Sequence, residues 1–445
     1  MIARTKVVKL PETLSHARPR VLVIGGGFAG LAAARALRGS RVDVVLVDRR
    51  NHTLFQPLLY QVATATIAPS EIAAPIRQLS ETQENVEVVL AEVTGVDLQS
   101  RTVFAYNSDL GARTLNFDFL VVATGVQASY FGHDEFAEYA PSLKTLTDAE
   151  DIRTKVLRAY ELAELSEDPA ERARLMTFAI VGGGPTGVEL AASLATMATR
   201  TLQKNFRRID PSKSSIILIE GGQRILPAFD DSLAEAARQR LERLGVQILT
   251  GSNVELVDAQ GVIVGGQRIT SATVMWAAGV APSAILKKLG ISTDRSGRVS
   301  VNSSLEVPDF PGVFVVGDAA SIMQDGHFLP GVAQVAIQSG SYAGRAIAED
   351  IAGRTSVKPF RYRNKGNLAV VGKNYAVFER DNIRMSGFIA WLVWAFIHIM
   401  FLPQLQNRLR VETQWLWTYF TNQRGSRIMP EPSSVQRLNN LEKAS

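Results

Sequence analysis

The sequence predicts an α/β fold of two Rossmann-like domains, followed by a C-terminal region of short strands and amphipathic helices. Three observations predict it: a strand–glycine turn–helix–strand unit at 20–48, a second at 178–220, and a change of character after residue 385. At 445 residues the chain is longer than one hydrophobic core usually holds. Its 46% hydrophobic and 20% charged residues are the balance of a globular protein.

In RVLVIGGGFAGLAAARALRGSRVDVVLVD (20–48), Val21–Ile24 reads as a strand, the alanine-rich stretch as a helix, and Val44–Val47 as a strand ending on Asp48. The glycines of Gly25-x-Gly27-x-x-Gly30 divide the steric work. Gly25 makes the turn, Gly27 admits a pyrophosphate to the backbone, and Gly30 lets helix and strand pack closely. Phe28 and Ala29 open the helix, whose free N–H groups and positive dipole suit phosphate. Asp48 is placed for a ribose hydroxyl pair. The pattern predicts a dinucleotide site.

FAIVGGGPTGVELAASLA (178–195) repeats it, with Gly182-x-Gly184-Pro185-Thr186-Gly187. Here the acid comes late, at Glu220, and RTLQKNFRRIDPSK reads as the helix extension and loop that delay it. A carboxylate at this place favours an unphosphorylated ribose, hence NADH over NADPH, although Arg224 nearby keeps the phosphorylated alternative open. FDFLVVATG (117–125) closes the first half on Ala123-Thr124-Gly125, and ATVMWAAGV (272–280) the second on Ala278-Gly279. PGVFVVGDAA (311–320) ends a strand on Gly317-Asp318, where the carboxylate can accept from a ribityl chain or cap a following helix.

Cysteine is absent, which excludes disulfides, thiolate zinc sites, Cys-ligated iron–sulfur clusters and dithiol redox chemistry. His16, His52, His133, His327 and His398 show no metal-ligand spacing, so no metal is expected. A net charge of +5 spread along the chain is not the basic stripe of a nucleic-acid binder. Residues 1–18 show no secretory signal pattern.

GVAQVAIQSG (331–340) sets Gln334 and Gln338 one helical turn apart on a face of small and aliphatic residues. Such amides need hydrogen-bond partners. Residues 360–379 alternate as short antiparallel strands, and 387–402 are uncharged and apolar, but shorter than the roughly 20 residues of a bilayer span. Arg408, Arg410, Trp415, Trp417, Tyr419, Arg424 and Arg427 follow. Aromatics interleaved with arginines predict that 385–429 lies in a membrane headgroup layer. A buried terminal helix or a homodimer seam is the alternative.

NHTLFQPLLYQVAT (51–64), GGGPTGVELA (182–191), EGGQRILPAF (220–229) and AQVAIQ (333–338), with the two fingerprints, resemble the type II NADH dehydrogenases. These are non-pumping NADH:quinone oxidoreductases of the two-dinucleotide-binding-domain flavoprotein superfamily. The resemblance implies FAD at the first fingerprint, with Val93, Asp318 and Ala333, and NADH at the second. It implies hydride transfer from NADH to FAD, then two-electron reduction of a membrane quinone. Gln334 and Gln338 would face the quinone, Glu189 would serve cofactor binding and proton delivery, and Lys365 would stand close to the quinone. The domains expected are FAD-binding (18–128 and 290–354), NADH-binding (129–289) and membrane-associating (355–445). The protein is expected to be peripheral, on the cytoplasmic face of a bacterial inner membrane. A soluble flavin reductase feeding a small redox protein, and an NADH-responsive binding module, are the alternatives.

Overall fold

A computed structural model describes residues 18–354 and 358–429. The expectations on the leader and on His16 lie outside the described residues. The chain opens with β1 (Arg20–Ile24), α1 (Phe28–Ala36), β2 (Asp43–Asp48), α2 (Leu59–Ala63), β3 (Val86–Leu90) and β4 (Phe119–Val122). It continues with α3 (Leu146–Leu165), β5 (Thr177–Val181), α4 (Pro185–Thr196), β6 (Ser215–Glu220), β7 (Val246–Thr250) and β8 (Thr273–Trp276). Then come β9 (Val313–Val315), α5 (Ala333–Ile351), β10 (Asn367–Val370), β11 (Ala376–Arg380), β12 (Ile383–Gly387), α6 (Phe388–Phe401) and α7 (Leu405–Thr421).

Two compact units result. The first draws on the described residues within Met1–Leu54, Ala73–Gln127 and Val280–Lys365, the second on those within Phe55–Ile72, Ala128–Gly279 and Gly366–Ser445. The sequence expectation differs at the seams. It sets 355–445 apart, whereas 366 onward belongs to the second unit, as does the segment Phe55–Ile72.

The first unit holds a parallel sheet in the order β9-β4-β1-β2-β3, with Val21 opposite both Val44 and Phe119. Val21, Leu22 and Val23 are wholly buried, as are Val44, Leu46 and Val47. Runs of β-branched and aliphatic residues without alternation are what a parallel sheet covered on both faces requires. On one face α1 packs against α5. A Cβ at Gly340 would collide with the Ala29 carbonyl oxygen, and one at Gly344 with that of Ala33. The matched steps of four make the helices parallel, and α5 starts about 9 Å before α1 begins.

The second unit repeats the scheme with the parallel order β7-β6-β5-β8, Phe178 lying opposite Ile216 and Thr273. The predicted helix extension is a π-helical turn, Met197–Thr201, followed by loop and a short 3-10 turn at Pro211–Lys213. Thr145 caps α3, its hydroxyl accepting from Asp148 N–H at 3.1 Å. β10, β11 and β12 form an antiparallel set, placed at 367–387 and not at the expected 360–379. α6 buries Ala390 and Trp394 and leaves Ile389, Leu392, Phe396 and Met400 exposed; α7 exposes Leu405, Leu409, Leu416, Trp417 and Phe420. Among the described residues no helix is long and apolar enough to cross a membrane.

Candidate active site

In the first unit Gly25 has φ +103°, and a Cβ there would stand 2.5 Å from the Ala123 carbonyl oxygen. A Cβ at Gly30 would overlap the Gly25 carbonyl, so β1 and α1 approach only because both positions lack one. Gly27 is the opposite case: nothing lies within 4 Å of its missing Cβ, leaving room for a ligand against the backbone. The N-cap of α1, Gly27, has no side chain with which to cap the helix. Its first internal bond runs from Leu31 N–H to Gly27 O, 3.0 Å, so the amides of Ala29 and Gly30 point from the helix end toward that room. The Asp48 carboxylate accepts from Gly26 N–H (2.6 Å) and Arg50 N–H (2.7 Å), which pins the acid to the turn with lone pairs to spare.

Thr124 and Gly125 follow β4, and Gly125 has φ +60°. The Thr124 hydroxyl oxygen is buried beside Gly25 and has no hydrogen-bond partner among the described residues. An orphaned hydroxyl at the mouth of a glycine turn is what a site built for a polar ligand leaves behind. Gly317 donates to the Ser339 hydroxyl (3.0 Å) from a single 3-10 turn, Gly317–Ala319. No long helix follows directly, and α5 begins only at Ala333. The Asp318 carboxylate lies beside Gly331, two residues before that helix. Val93 sits half-buried in the strand Glu92–Asp97, packed against the core of this unit.

The first unit also shows what Gln338 bonds. Gln338 Nε2 donates to Arg363 O and its Oε1 accepts from Arg363 N–H, both at 3.0 Å. The amide thus clamps the segment carrying exposed Lys365, keeping one N–H and one lone pair. Gln334 is half-buried on the same face.

The second unit builds its turn alike. Gly182 has φ +112°, and its Cβ would be 2.7 Å from the Ala277 carbonyl carbon; a Cβ at Gly187 would overlap the Gly182 carbonyl, while Gly184 faces open space. Pro185 takes the first position of α4, where it costs no hydrogen bond, and Thr186 follows. Val188 N–H makes the first internal bond, to Gly184 O. Glu220 accepts from Gly183 N–H (2.6 Å) and Gly222 N–H (2.7 Å). Ala278 and Gly279 follow β8, and a Cβ on Gly279 would be 2.5 Å from the Phe131 ring. Arg224 is committed elsewhere, donating to Phe229 O and Pro227 O and pairing with Asp231 at 2.9 Å.

Glu189, in the first turns of α4, is 8% exposed. Val370 N–H of β10 donates to its Oε1 at 3.2 Å. Burial pushes its carboxyl up to about 8, the Val370 bond opposing that only in part. At neutral pH it is therefore mostly a protonated acid. It lines a cavity of about 130 Å³ with Tyr60, Gln61, Ser193, Trp391, Trp394, Trp415 and Arg424.

These cavity residues correct one expectation. Arg424 does not meet lipid headgroups: it is 5% exposed and donates to Thr64 O (2.6 Å) and Ser193 O (3.1 Å). Trp394 is buried and stacks on Trp415, ring centroids 5.0 Å apart. Trp417 is exposed. Sequence reasoning gave Tyr60 and Gln61 no role, although both lie in the quoted 51–64 motif; two polar residues inside an aliphatic run were the available signal. Among the described residues no group of three or more His, Cys, Asp or Glu could hold a metal.

A model of the pyridine nucleotide-disulphide oxidoreductase family matches residues 19–340. The type II NADH:quinone oxidoreductase Ndh of Mycobacterium tuberculosis is 41% identical, the match covering 96% of this chain and 94% of that protein. The mitochondrial internal alternative NAD(P)H-ubiquinone oxidoreductase A1 of Arabidopsis thaliana is 30% identical over 94% of this chain and 88% of its own. The structure of NDH2 from Plasmodium falciparum in complex with NADH superposes with a TM-score of 0.85 at 20% identity, covering 93% of this chain and 100% of that one.

Proposed function

From the premise that this chain belongs to the pyridine nucleotide-disulphide oxidoreductase family, among its type II NADH:quinone oxidoreductases, we propose that it oxidises NADH and reduces a quinone without pumping protons. The observation that carries the reading is the duplicated cradle: each unit offers a glycine turn open at its middle glycine and closed by a pinned carboxylate. Two dinucleotides therefore have places to bind. The orphaned Thr124 hydroxyl and the space over Gly27 fit FAD in the first unit. Glu220 and the engagement of Arg224 with the 227–231 loop support NADH in the second. No cysteine exists to take part in disulfide exchange, so the electrons do not leave through a dithiol of this chain.

When bound, FAD supplies the acceptor for a hydride from NADH and the reductant for the quinone. The protein's part is placement and proton supply. The amides at the starts of α1 and α4 hold pyrophosphates, and Asp48 and Glu220 hold ribose hydroxyls. α5 begins at Ala333, which would serve the flavin, and brings the amides of Gln334 and Gln338 as hydrogen-bonding groups for a quinone carbonyl, with Lys365 on the segment that Gln338 clamps. Glu189, protonated at neutral pH, holds one of the two protons a quinol needs. The exposed apolar faces of α6 and α7 rest on a membrane surface, the phase in which the quinone dissolves, on the side that meets soluble NADH.

Anaerobic stopped-flow spectroscopy tests the whole reading. NADH should bleach the yellow protein, and a short-chain quinone should restore its colour. Gln334→Ala should slow the second phase and leave the first unchanged in order of magnitude. It is a cleaner probe than Gln338→Ala, which would also release residues 363–365. If quinone leaves the wild-type protein bleached, the oxidant is not a quinone, and the small redox protein becomes the reading to pursue.

A further inference from the structure

Tyr60 and Gln61 stand next to each other on α2 and are 5% and 6% exposed. Both are polar, so their burial demands partners. Trp415 of α7 reaches Gln61 Oε1 with its indole Nε1 at 2.7 Å. An indole N–H can only donate, which fixes the amide's orientation: the oxygen faces Trp415 and the nitrogen faces the other way. Gln61 Nε2 accordingly donates to the Tyr60 phenolic oxygen, at 3.0 Å. An oxygen that accepts from an amide nitrogen must send its own hydrogen elsewhere. Among the described residues the hydroxyl makes this bond and no other, and Tyr60 lines the same cavity as Glu189.

We propose that the Tyr60 hydroxyl is a hydrogen-bond donor to a quinone carbonyl in this cavity, and that Gln61 and Trp415 are positioning residues that aim it. The inference rests on the quinone-reductase reading above. Trp391, Trp394 and Trp415 among the lining residues offer flat apolar surfaces to a ring. Tyr60 and Glu189 stand among its polar lining groups, with Lys373, Thr418 and Asn422, and polar groups set against flat apolar walls are the usual make-up of a site for a carbonyl-bearing ring. Arg424 secures the arrangement from below, since its bond to Thr64 O holds the residue that ends α2. Trp415 belongs to the helix pair whose other face is exposed and apolar. Seating of α7 therefore decides whether the donor is aimed, and a quinone meets a prepared hydroxyl only when that helix is in place.

The competing account is that Tyr60, Gln61 and Trp415 merely fasten α7. Removal of the hydroxyl alone separates the two, because Tyr60→Phe leaves the Gln61–Trp415 bond intact. Binding of a short-chain benzoquinone to the oxidised holoprotein is read by quenching of tryptophan fluorescence, and KM for the same quinone is measured beside it. Tyr60→Phe should raise the dissociation constant and KM together, by about three- to ten-fold for one lost hydrogen bond. Trp415→Phe keeps a ring but frees the Gln61 amide to turn over. With the donor then aimed in about half the molecules, affinity should fall about twofold. Thermal melting of each variant reports whether it folds as wild type. A Tyr60→Phe protein that melts normally and binds the quinone as tightly as wild type overturns the proposal. A wild-type protein neither quenched nor reoxidised by quinone overturns the underlying reading instead.

Discussion

The two glycine cradles are built by the same sterics, and they differ one helical turn further on. Gly25 and Gly182 share a positive φ, Gly30 and Gly187 each abut the carbonyl of that first glycine, and Asp48 and Glu220 each accept from the turn. Counting from Gly30 and Gly187, the second residue is Ala32 in α1 but Glu189 in α4. The coverings differ as well. α1 lies under α5, a helix whose Gly340 and Gly344 let the backbones touch, whereas α4 lies against β10, whose Val370 N–H bonds the Glu189 carboxyl. The comparison teaches that ligand-binding geometry repeats where the task repeats. A carboxyl is buried in one copy only, and burial of an ionisable group is costly enough to mark a function.

The largest effect should come from breaking the shared part. Gly30→Val and Gly187→Val each drive a side chain into a backbone carbonyl, a misfit that costs at least about 1–3 kcal/mol locally. The expected outcomes differ by unit: absorbance should show loss of bound flavin for Gly30→Val, and calorimetry loss of NADH binding for Gly187→Val. If both variants lose the same ligand, the assignment of one dinucleotide to each unit is broken.

The unshared part comes next. Glu189→Gln should slow quinone reduction by about 100-fold, the lower end for loss of a positioned acid. In the wild type that rate should decline as pH rises through about 8, where the acid loses its proton; the glutamine variant should lack that limb. Stability carries the same signature. The folded carboxyl has a raised pKa, so its contribution is full below the ordinary carboxylate range and is lost as pH rises toward 8. Chemical denaturation between pH 5 and pH 9 should show a decline in the wild type and a flatter profile for Glu189→Gln, sharpening the contrast with Ala32.

A smaller effect should separate the two acids. Glu220→Ala should raise KM for NADH and narrow the preference over NADPH by about tenfold, an ion–phosphate repulsion being removed. Asp48→Ala should leave that preference untouched and weaken flavin retention. The smallest change is expected for Arg224→Ala. Its guanidinium is tied to Pro227, Phe229 and Asp231, so nucleotide preference measured by steady-state kinetics should move less than about threefold, within surface ion-pair energies.

The sequence alone determined the outline of the cradles, because most of it is local. A strand, a turn that needs positive φ and a helix start without a cap fall within one short stretch of chain, while the carbonyls that crowd Gly25 and Gly182 come from Ala123 and Ala277, far along it. The lack of cysteine likewise settled what chemistry was out of reach. The partners of the buried polar groups had to come from the tertiary structure. Nothing near Gln338 in the chain announces that Arg363, 25 residues on, takes up its amide. Interleaved aromatics and arginines showed that 385–429 has a surface to place, not which of its residues would turn inward, and so Arg424 read as headgroup-facing while it is buried. A periodic pattern states that a face must be covered; only packing decides by what, because the coverage is made by residues distant in the chain whose affinity for one another no local spacing records.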